Sequence, residues 1–249
     1  MTRGADPQLI VIGADSSGRA PITLLRKASE RSTVLRMSRE RGNSPHRNRV
    51  TPLGDIIATP LRGALMGNRG ILHRATEIVS FHRSDLWITC TLHYKDWRAP
   101  QWEPGHYTVL FFHDEAVALA AGHRPCALCR REDYRAFRDD ALAGCDQPAS
   151  ARRLDRLLHS QRIVAGSHRR RFHERTWPDL TDGAFVLIDD EPALVLGDAL
   201  VPWATNGYRR PRRRPATGSA TVITPPASLQ VLAAGYPVQI DATARELLH

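Results

Sequence analysis

The sequence predicts an α+β protein, and two kinds of pattern in its 249 residues support this class. Short runs rich in β-branched and aromatic residues, such as 86–94 and 107–112, are typical of strands. Runs rich in alanine or with an amphipathic period, such as 114–122 and 127–144, are typical of helices. The chain is 42% hydrophobic, which excludes a disordered protein and suffices for one large or two small domains.

The first half of the chain is predicted to contain a leader followed by a module of short elements. Residues 1–48 carry charge throughout and no sustained helical stripe, so we expect a flexible basic leader, in which Met37 is a candidate translation start. Order is predicted to begin near Val50, with proline and glycine separating the first short elements. After the two strands, Asp114 is expected to cap a two-turn helix that ends at Gly122. A cysteine knuckle and a helix ending at Gly144 complete a module at 49–145.

The second half is predicted to be a small α+β unit at 146–249. A linker at 146–150 precedes a short helix, and the run 183–196 predicts a hairpin that turns at its DDEP sequence. A strand at 220–224 and a helix at 225–235 follow, with Thr224 as the expected N-cap.

The positive charge is concentrated in two segments. The net charge is +9: residues 1–50 carry +6 and residues 151–217 carry +5, while residues 51–150 and 218–249 carry −1 each. All the basic residues except Lys27 and Lys95 are arginines. A GC-rich genome is one explanation of this bias and implies no function. The clustering of the arginines instead favours recognition of phosphate by the planar guanidinium group. The arginines predicted to contact nucleic-acid phosphates are Arg124, Arg130, Arg131, Arg169, Arg170, Arg171, Arg209, Arg210, Arg212, Arg213 and Arg214.

No segment of the sequence predicts a membrane span or a secretory signal. Apolar runs stay far below the ~20 residues that cross a bilayer, and the run near the N-terminus is too short for a signal peptide. We therefore expect a cytoplasmic protein without membrane contact. In that compartment cysteines at CxxC spacing bind metals or act in redox chemistry rather than forming structural disulfides.

Three of the four cysteines are predicted to share a zinc ion. Cys126 and Cys129 have CxxC spacing before a helix, where both sulfur atoms can reach one ion. Cys90 lies on the first predicted strand, and His93 three residues later is the expected fourth ligand. A dithiol redox pair and free, packed cysteines are the alternatives, and His106, His113 and His123 are substitutes for His93. Cys145 is expected to be a bystander.

Two segments around these cysteines resemble the Ada-type metal-binding, methylphosphotriester-repair domain. The sequence FFHDEAVALAAGHRPCALCRR at 111–131 is similar to that family's FF, alanine-rich helix, glycine and RPCxxCR knuckle. ITCTLHYKDWR at 88–98 lies at a similar distance from the knuckle as the family's first cysteine pair. The whole chain also resembles uncharacterised bacterial proteins with the same GHRPC knuckle.

The resemblance implies a zinc-thiolate site beside DNA phosphates, in which one thiolate accepts a methyl group. Cys126 and Cys129 match the second ligand pair, and Cys90 matches the acceptor, which makes Cys90 the candidate catalytic residue. The family's other cysteine is replaced by Tyr94. Three thiolates and an imidazole would leave a less electron-rich sulfur than four thiolates, so zinc binding is expected to persist more readily than methyl transfer.

The sequence thus predicts a zinc-knuckle module plus a small second α+β unit, with zinc as cofactor and DNA as partner. The predicted function is a zinc-containing, DNA-binding protein of Ada-like type concerned with repair of alkylated DNA. One alternative is a zinc-dependent, hydrolase-like enzyme acting on a small molecule, with Glu115 as a candidate general base. Another is an interaction protein in which zinc only stabilises the fold. Whether the protein is an enzyme, and its oligomeric state, are left open by the sequence.

Overall fold

The structure, a computed structural model, describes residues 45–145 and 148–249 and is a mixed α+β fold rich in sheet. The predicted leader at 1–48 lies almost wholly outside the described residues, although the first strand already begins at Arg47. The strands in the described part of the chain are β1 (Arg47–Val50), β2 (Ile56–Ala58), β3 (Leu65–Asn68), β4 (His73–Arg74), β5 (Glu77–Ile78), β6 (Ile88–Thr91), β7 (Leu110–Phe112), β8 (Arg124–Pro125), β9 (His173–Thr176), β10 (Phe185–Ile188), β11 (Glu191–Leu196), β12 (Ala199–Ala204), β13 (Gly207–Tyr208), β14 (Arg212–Arg213) and β15 (Ser219–Val222).

Helices occupy a smaller part of the described chain. They are α1 (Glu115–Ala120), α2 (Arg131–Ala141), α3 (Ala151–Arg162), α4 (Pro226–Ala233) and α5 (Ala242–Glu246), with a 3₁₀ turn at Trp177–Asp179. The predicted cap of α1 is confirmed, because the Asp114 carboxylate accepts the Val117 N–H at 2.9 Å. The predicted cap of α4 is wrong: Pro225 occupies that position, and the Thr224 hydroxyl instead accepts the Phe185 N–H. None of these helices has the length and apolar character needed to cross a bilayer.

The first sheet contains strands from the first half of the chain in the order β2-β1-β7-β3-β6-β8. Strands β6 and β8 run parallel, with Thr89 opposite Pro125. Strand β3 lies antiparallel to β6 and places Met66 opposite Cys90. This edge of the sheet therefore carries one predicted metal ligand and leads directly into the CxxC knuckle.

The second sheet follows the order β13-β12-β11-β10-β15-β9, and β14 pairs with β12. Its central hairpin confirms the predicted turn. Ile188 pairs with Glu191 across a two-residue loop, and both loop residues, Asp189 and Asp190, have positive φ angles of 50° and 63°. Such angles are typical of the type I′ turn, whose twist matches that of antiparallel strands.

Helix α1 lies at the centre of the fold, and all six of its residues are buried. Val117 packs with side chains of the second sheet, Leu119 with α2 and α3, and Ala118 with the first sheet. The alanines permit this position because their small side chains let neighbouring elements approach the helix from every side.

The hydrophobic core extends across the predicted boundary between 145 and 146. Phe137 of α2, Leu158 of α3 and Val186 of β10 belong to one buried cluster. The described residues all lie within one compact unit, Asn43–His249. Residues of both predicted segments, 49–145 and 146–249, therefore contribute to this cluster, while a further buried cluster around Val50, Leu72 and Phe112 is formed within the first segment alone.

Candidate metal centre

The parallel pairing of β6 and β8 brings Cys90 next to the cysteine knuckle. Arg124 donates its N–H to the Trp87 carbonyl, and Cys126 donates its N–H to the Thr89 carbonyl at 2.9 Å. These bonds fix the register of the two strands. Cys90, which follows Thr89, therefore lies beside Cys126, although the two are 36 positions apart in the sequence.

The knuckle itself is a tight turn closed by backbone hydrogen bonds. Arg130 donates its N–H to the Cys126 carbonyl at 3.1 Å, and Leu128 donates its N–H to Cys126 Sγ at 3.4 Å. A backbone hydrogen bond from Thr91 reaches the Cys129 sulfur. Amide groups directed at sulfur stabilise the thiolate form that binds metals.

The three predicted cysteine ligands form one cluster. The Sγ atoms of Cys90, Cys126 and Cys129 all lie within 4.8 Å of one another, and in the part of the chain that is described this is the only group of three or more cysteine, histidine or acidic residues so close. These three cysteines could hold a metal ion. His93 is exposed and lies outside the group, as does Cys145.

The alternative histidine ligands also lie outside the cluster. His123 is fully buried and accepts a hydrogen bond from Arg69 Nε at 3.2 Å, and His113 accepts one from the Trp203 indole. His106 lies 3.9 Å from Glu103 on the surface. The described residues therefore offer three protein ligands and no imidazole at the cysteine cluster.

The three thiols differ in acidity. The pKa of Cys126 falls to about 5, chiefly because the Cys90 thiol donates a hydrogen bond to it, while burial opposes the shift and the amides of Cys129 and Leu128 support it. The same contact with Cys126, together with burial, raises the pKa of Cys90. Burial raises the pKa of Cys129. Cys126 is thus the cysteine that most readily forms a thiolate, and Cys90 and Cys129 would release their protons on binding a metal cation.

An apolar cavity opens directly onto the three sulfur atoms. Its volume is about 370 Å³. The side chains that line it besides the cysteines are Met66, Asn68, Ile88, Tyr94, Lys95, Trp97, Tyr107 and Leu128. Trp97 and Tyr107 stack with their ring centroids 6.4 Å apart, and burial and the neighbouring cysteines raise the pKa of Tyr107 to about 12. The wall of the cavity is therefore aromatic and uncharged except for Lys95.

Tyr94 lines this cavity, at the position where the resemblance predicts a fourth cysteine. The other aromatic lining residues are not identifiable from sequence spacing, because Trp97 and Tyr107 approach the sulfur atoms only through the fold of the loop after β6. The one available signal is the density of aromatic residues between 94 and 107.

Arg130 links the knuckle to the rest of the protein. Its guanidinium group donates to the Thr89 hydroxyl at 3.0 Å, to Glu115 Oε1 at 2.5 Å and to Asp133 Oδ2. Glu115 in turn accepts the Tyr236 hydroxyl and is only 1% exposed. Burial alone would lower the pKa of Arg130, but the carboxylate of Glu115 raises it above its usual value. Glu115 is thus a buried structural partner rather than a base beside the cysteines.

Several arginines predicted to contact phosphate instead form hydrogen bonds or ion pairs within the fold. Arg124 is 2% exposed and forms a two-point ion pair with Asp155, at 2.8 and 3.0 Å. Arg170 donates to the carbonyls of Ala120 and Ala121. Arg130 is similarly buried, and Arg214 donates to the carbonyls of residues 177 and 180. A phosphate would have to displace these partners to reach the guanidinium groups.

The remaining predicted arginines lie on the surface. The exposed members are Arg131, Arg169, Arg171, Arg209, Arg210, Arg212 and Arg213. Arg212 pairs with Asp189 at 2.8 Å, and Arg209 lies 3.7 Å from Glu191. The acidic residues of the β10–β11 hairpin therefore offset part of the positive charge of the segment at 209–213.

Comparison with known proteins does not assign this chain to a family. No family model, curated protein or solved structure matches it. The Ada-type likeness of residues 88–131 therefore remains a prediction from the sequence. Any function proposed for the protein therefore depends on its sequence and on the geometry of the described residues.

Proposed function

We propose that the protein binds a zinc ion through Cys90, Cys126 and Cys129 and presents it to a ligand in the adjoining apolar cavity. The observation that carries the proposal is the convergence of three sulfur atoms within 4.8 Å at the base of that cavity. Thiolates of a tetrahedral zinc site lie roughly 3.8 Å apart, since each Zn–S bond is about 2.3 Å long. The donor set is soft, which favours zinc over magnesium or calcium.

An open coordination position distinguishes this site from a purely structural knuckle. Structural zinc sites are closed by four protein ligands, whereas catalytic sites have three and leave the fourth position to water or substrate. Here the described residues supply three ligands, and the cavity of about 370 Å³ lies where a fourth would approach. The aromatic and aliphatic lining favours a small, mostly apolar molecule with one donor atom for the metal. When bound, zinc would supply Lewis acidity at that position.

Metal analysis of the purified chain tests the zinc proposal. Wild-type protein purified without chelator is expected to contain about one zinc ion, and Cys126→Ser should lose it. Cys145→Ser is the matched control, because Cys145 is exposed and outside the cluster. A metal-free wild type, or equal loss in both variants, would contradict the proposal.

Cobalt substitution tests the open position separately. Cobalt bound by three thiolates gives a visible spectrum that changes when an added small thiol takes the fourth position. If the spectrum stays constant while the metal remains bound, the site is closed and the protein uses zinc only for stability.

We propose contact with DNA as a second function, supported by the exposed arginines that remain at the surface. Arg131 follows the knuckle directly, Arg209 and Arg210 lie between β13 and β14, and Arg213 lies on β14. In the Ada-like version of this proposal, the methyl carbon moves from a phosphotriester oxygen to the sulfur of Cys90. The O–C bond breaks, the S–C bond forms, and the DNA leaves as a phosphodiester.

Two measurements separate DNA binding from methyl transfer. Affinity for random duplex DNA should fall steeply with salt, and more weakly in Arg210→Ala/Arg213→Ala, because each lost phosphate contact reduces the salt slope by about 1. Binding that is flat in salt would contradict phosphate contact. Mass spectrometry after incubation with methylphosphotriester DNA should show one added methyl on Cys90, and an unmodified Cys90 would limit the protein to binding.

A further inference from the structure

Three arginines are buried around the C-terminal end of α1 without carboxylate hydrogen-bond partners. Arg69 and Arg162 are 0% exposed, and Arg170 lies beside them. Among the described residues, their guanidinium groups donate only to backbone carbonyls and to the rings of His123 and His159. Arg69 Nη2, Arg162 Nε and Arg170 Nε have no hydrogen-bond partner. Asp55 acts electrostatically on Arg69 and Arg170, and Asp85 and Asp155 act on Arg162, so nearby carboxylates offset part of the positive charge. Burial weakens the screening of the charge that remains.

That surface is formed by histidines packed over Trp87. The indole of Trp87 lies between the guanidinium groups of Arg69 and Arg162, at 4.1 and 4.2 Å. The rings of His82 and His159 contact the same indole, with centroids 5.7 and 6.4 Å away. His82 thus contacts the same indole as the two buried guanidinium groups, whereas His159 contacts Arg162 directly, with Arg162 Nη2 3.2 Å from His159 Nδ1.

A groove of about 640 Å³ opens on this histidine layer. The His82 ring lies 5.1 Å from His159 and 5.3 Å from His168, and Arg156 and Arg171 also line the groove. Asp85 is the one carboxylate on its lining; it is about half exposed, and its Oδ1 lies 3.6 Å from His159 Nε2. The lining thus carries three histidines and two arginines against a single carboxylate.

The positive surroundings already affect the histidines. Burial, His159, His168 and the arginines Arg162 and Arg69 lower the pKa of His82 to about 4. Burial and Arg162 also lower the pKa of His159. A bound dianion would oppose this effect, because negative charge beside the rings favours their protonated form, while burial, the largest cause, would remain.

We infer that this groove, hereafter the histidine groove, binds the phosphate group of a small phosphomonoester. A phosphate dianion offers more acceptor oxygens than a carboxylate and matches several imidazole and guanidinium donors converging from different directions. The groove is much larger than a phosphate ion, and Ile163 and Ala165 on its lining provide apolar surface for the organic part of the ligand. The inference is independent of the cysteine cluster, which lines a different cavity.

Histidine NMR on the full chain tests the site directly. Inorganic phosphate, adenosine monophosphate and adenosine are titrated separately at pH 7.5, where both phosphate compounds are largely dianions, and at constant ionic strength. Phosphate and the nucleotide should give saturable shifts in the signals of His82, His159 and His168, and should raise the pKa of His82 by about one unit or more. Tighter binding of the nucleotide identifies an ester as the ligand, equal binding identifies the free ion, and both results support a phosphate site. Absence of saturable shifts with either phosphate compound would refute it.

Surface substitutions distinguish this site from general attraction to a basic protein. His168 and Arg171 are both exposed, so His168→Ala/Arg171→Ala should fold normally and bind phosphate about tenfold more weakly or worse. Arg135→Ala is the matched control, because Arg135 is also an exposed arginine but does not line the groove. Equal affinity in the double variant and wild type, or equal weakening in the control, would overturn the inference. Duplex DNA competing more strongly than the nucleotide would assign the groove to nucleic acid and would also overturn it.

Discussion

Replacing Arg130 should destabilise the protein more than any surface arginine, because it leaves a buried carboxylate without its cation. The side chains of Arg130 and Glu115 are 3% and 1% exposed, and they meet at 2.5 Å. In Arg130→Met, Glu115 keeps its hydrogen bonds from the Tyr236 hydroxyl and the Gln239 N–H but loses the guanidinium group. Removing one partner of a buried ion pair costs about 3–5 kcal/mol, so we expect a loss of this size in the free energy of unfolding.

A double-mutant cycle isolates the ion pair from the other contacts of Arg130. Glu115→Gln removes the buried charge but keeps an oxygen that accepts the Tyr236 hydroxyl. In Arg130→Met/Glu115→Gln no carboxylate is left uncompensated, so the double variant should be more stable than the sum of the single losses predicts. The expected coupling energy is about 2–3 kcal/mol.

Urea unfolding of the metal-free, reduced protein measures these differences, with tryptophan fluorescence and circular dichroism as independent probes. Arg138→Met is the control: Arg138 lies on the same helix and pairs with Asp139 at the surface, so its loss should cost less than about 1 kcal/mol. Single effects that add within about 0.5 kcal/mol, or an Arg130→Met loss no larger than that of the control, would refute the reasoning.

Three other predictions follow from the same contacts. Gly67→Ala should lower the free energy of unfolding by about 1–3 kcal/mol and reduce metal occupancy. A Cβ at Gly67 would lie 2.0 Å from the Ile88 carbonyl oxygen and push β6, the strand that carries Cys90, away from β3. An unchanged melting temperature would contradict this prediction. Gly122→Ala should destabilise the protein more than Gly144→Ala in the same assay. Both glycines have positive φ, but only a Cβ at Gly122 would lie 2.6 Å from Arg162 Cδ. Equal losses of stability in the two variants would show that backbone strain alone accounts for the effect. Unfolding midpoints of the metal-free protein in phosphate-free buffer should fall as the pH falls from about 6.5 towards 4. His82 has a pKa of about 4 when folded and about 6.5 when unfolded, so the unfolded state binds more protons in this range. His82→Gln should flatten the dependence of the midpoint on pH, and an unchanged dependence would show that another group is responsible.

Local signals in the sequence predicted the elements that depend on local chemistry. Asp114 and Gly122 delimit α1 because a cap and a positive-φ glycine act within one turn of the helix. The two aspartates of the β10–β11 hairpin likewise act within their own turn. Cys126 and Cys129 were predicted as partners of Cys90 because few arrangements other than metal binding use CxxC spacing in this way.

The positions of the arginines could not be predicted because their partners are distant in the sequence. Arg124 meets Asp155, 31 residues away, and Arg170 meets the carbonyl of Ala120, 50 residues away. Clustering in the sequence therefore says little about exposure. His93 does not join the cysteines because β6 ends at Thr91, and His93 lies in the exposed loop that follows the strand.

The two ends of α1 explain why a basic chain buries so many of its arginines. At the N-terminal end, Asp114 and Glu115 bind the amides of Asp241 and Gln239 and so hold the C-terminal segment against the helix. At the C-terminal end, Arg162 and Arg170 bind the carbonyls that a short helix leaves without partners. The chain runs from this end directly into β8 and the cysteine knuckle. The same contacts that supply hydrogen-bond donors to the last carbonyls of α1 therefore also fix the position of Cys126. The net charge of +9 is therefore a poor measure of affinity for nucleic acid, since several arginines of the described residues support α1 and the knuckle, and residues 1–50, which carry +6, lie almost wholly outside the described part of the chain.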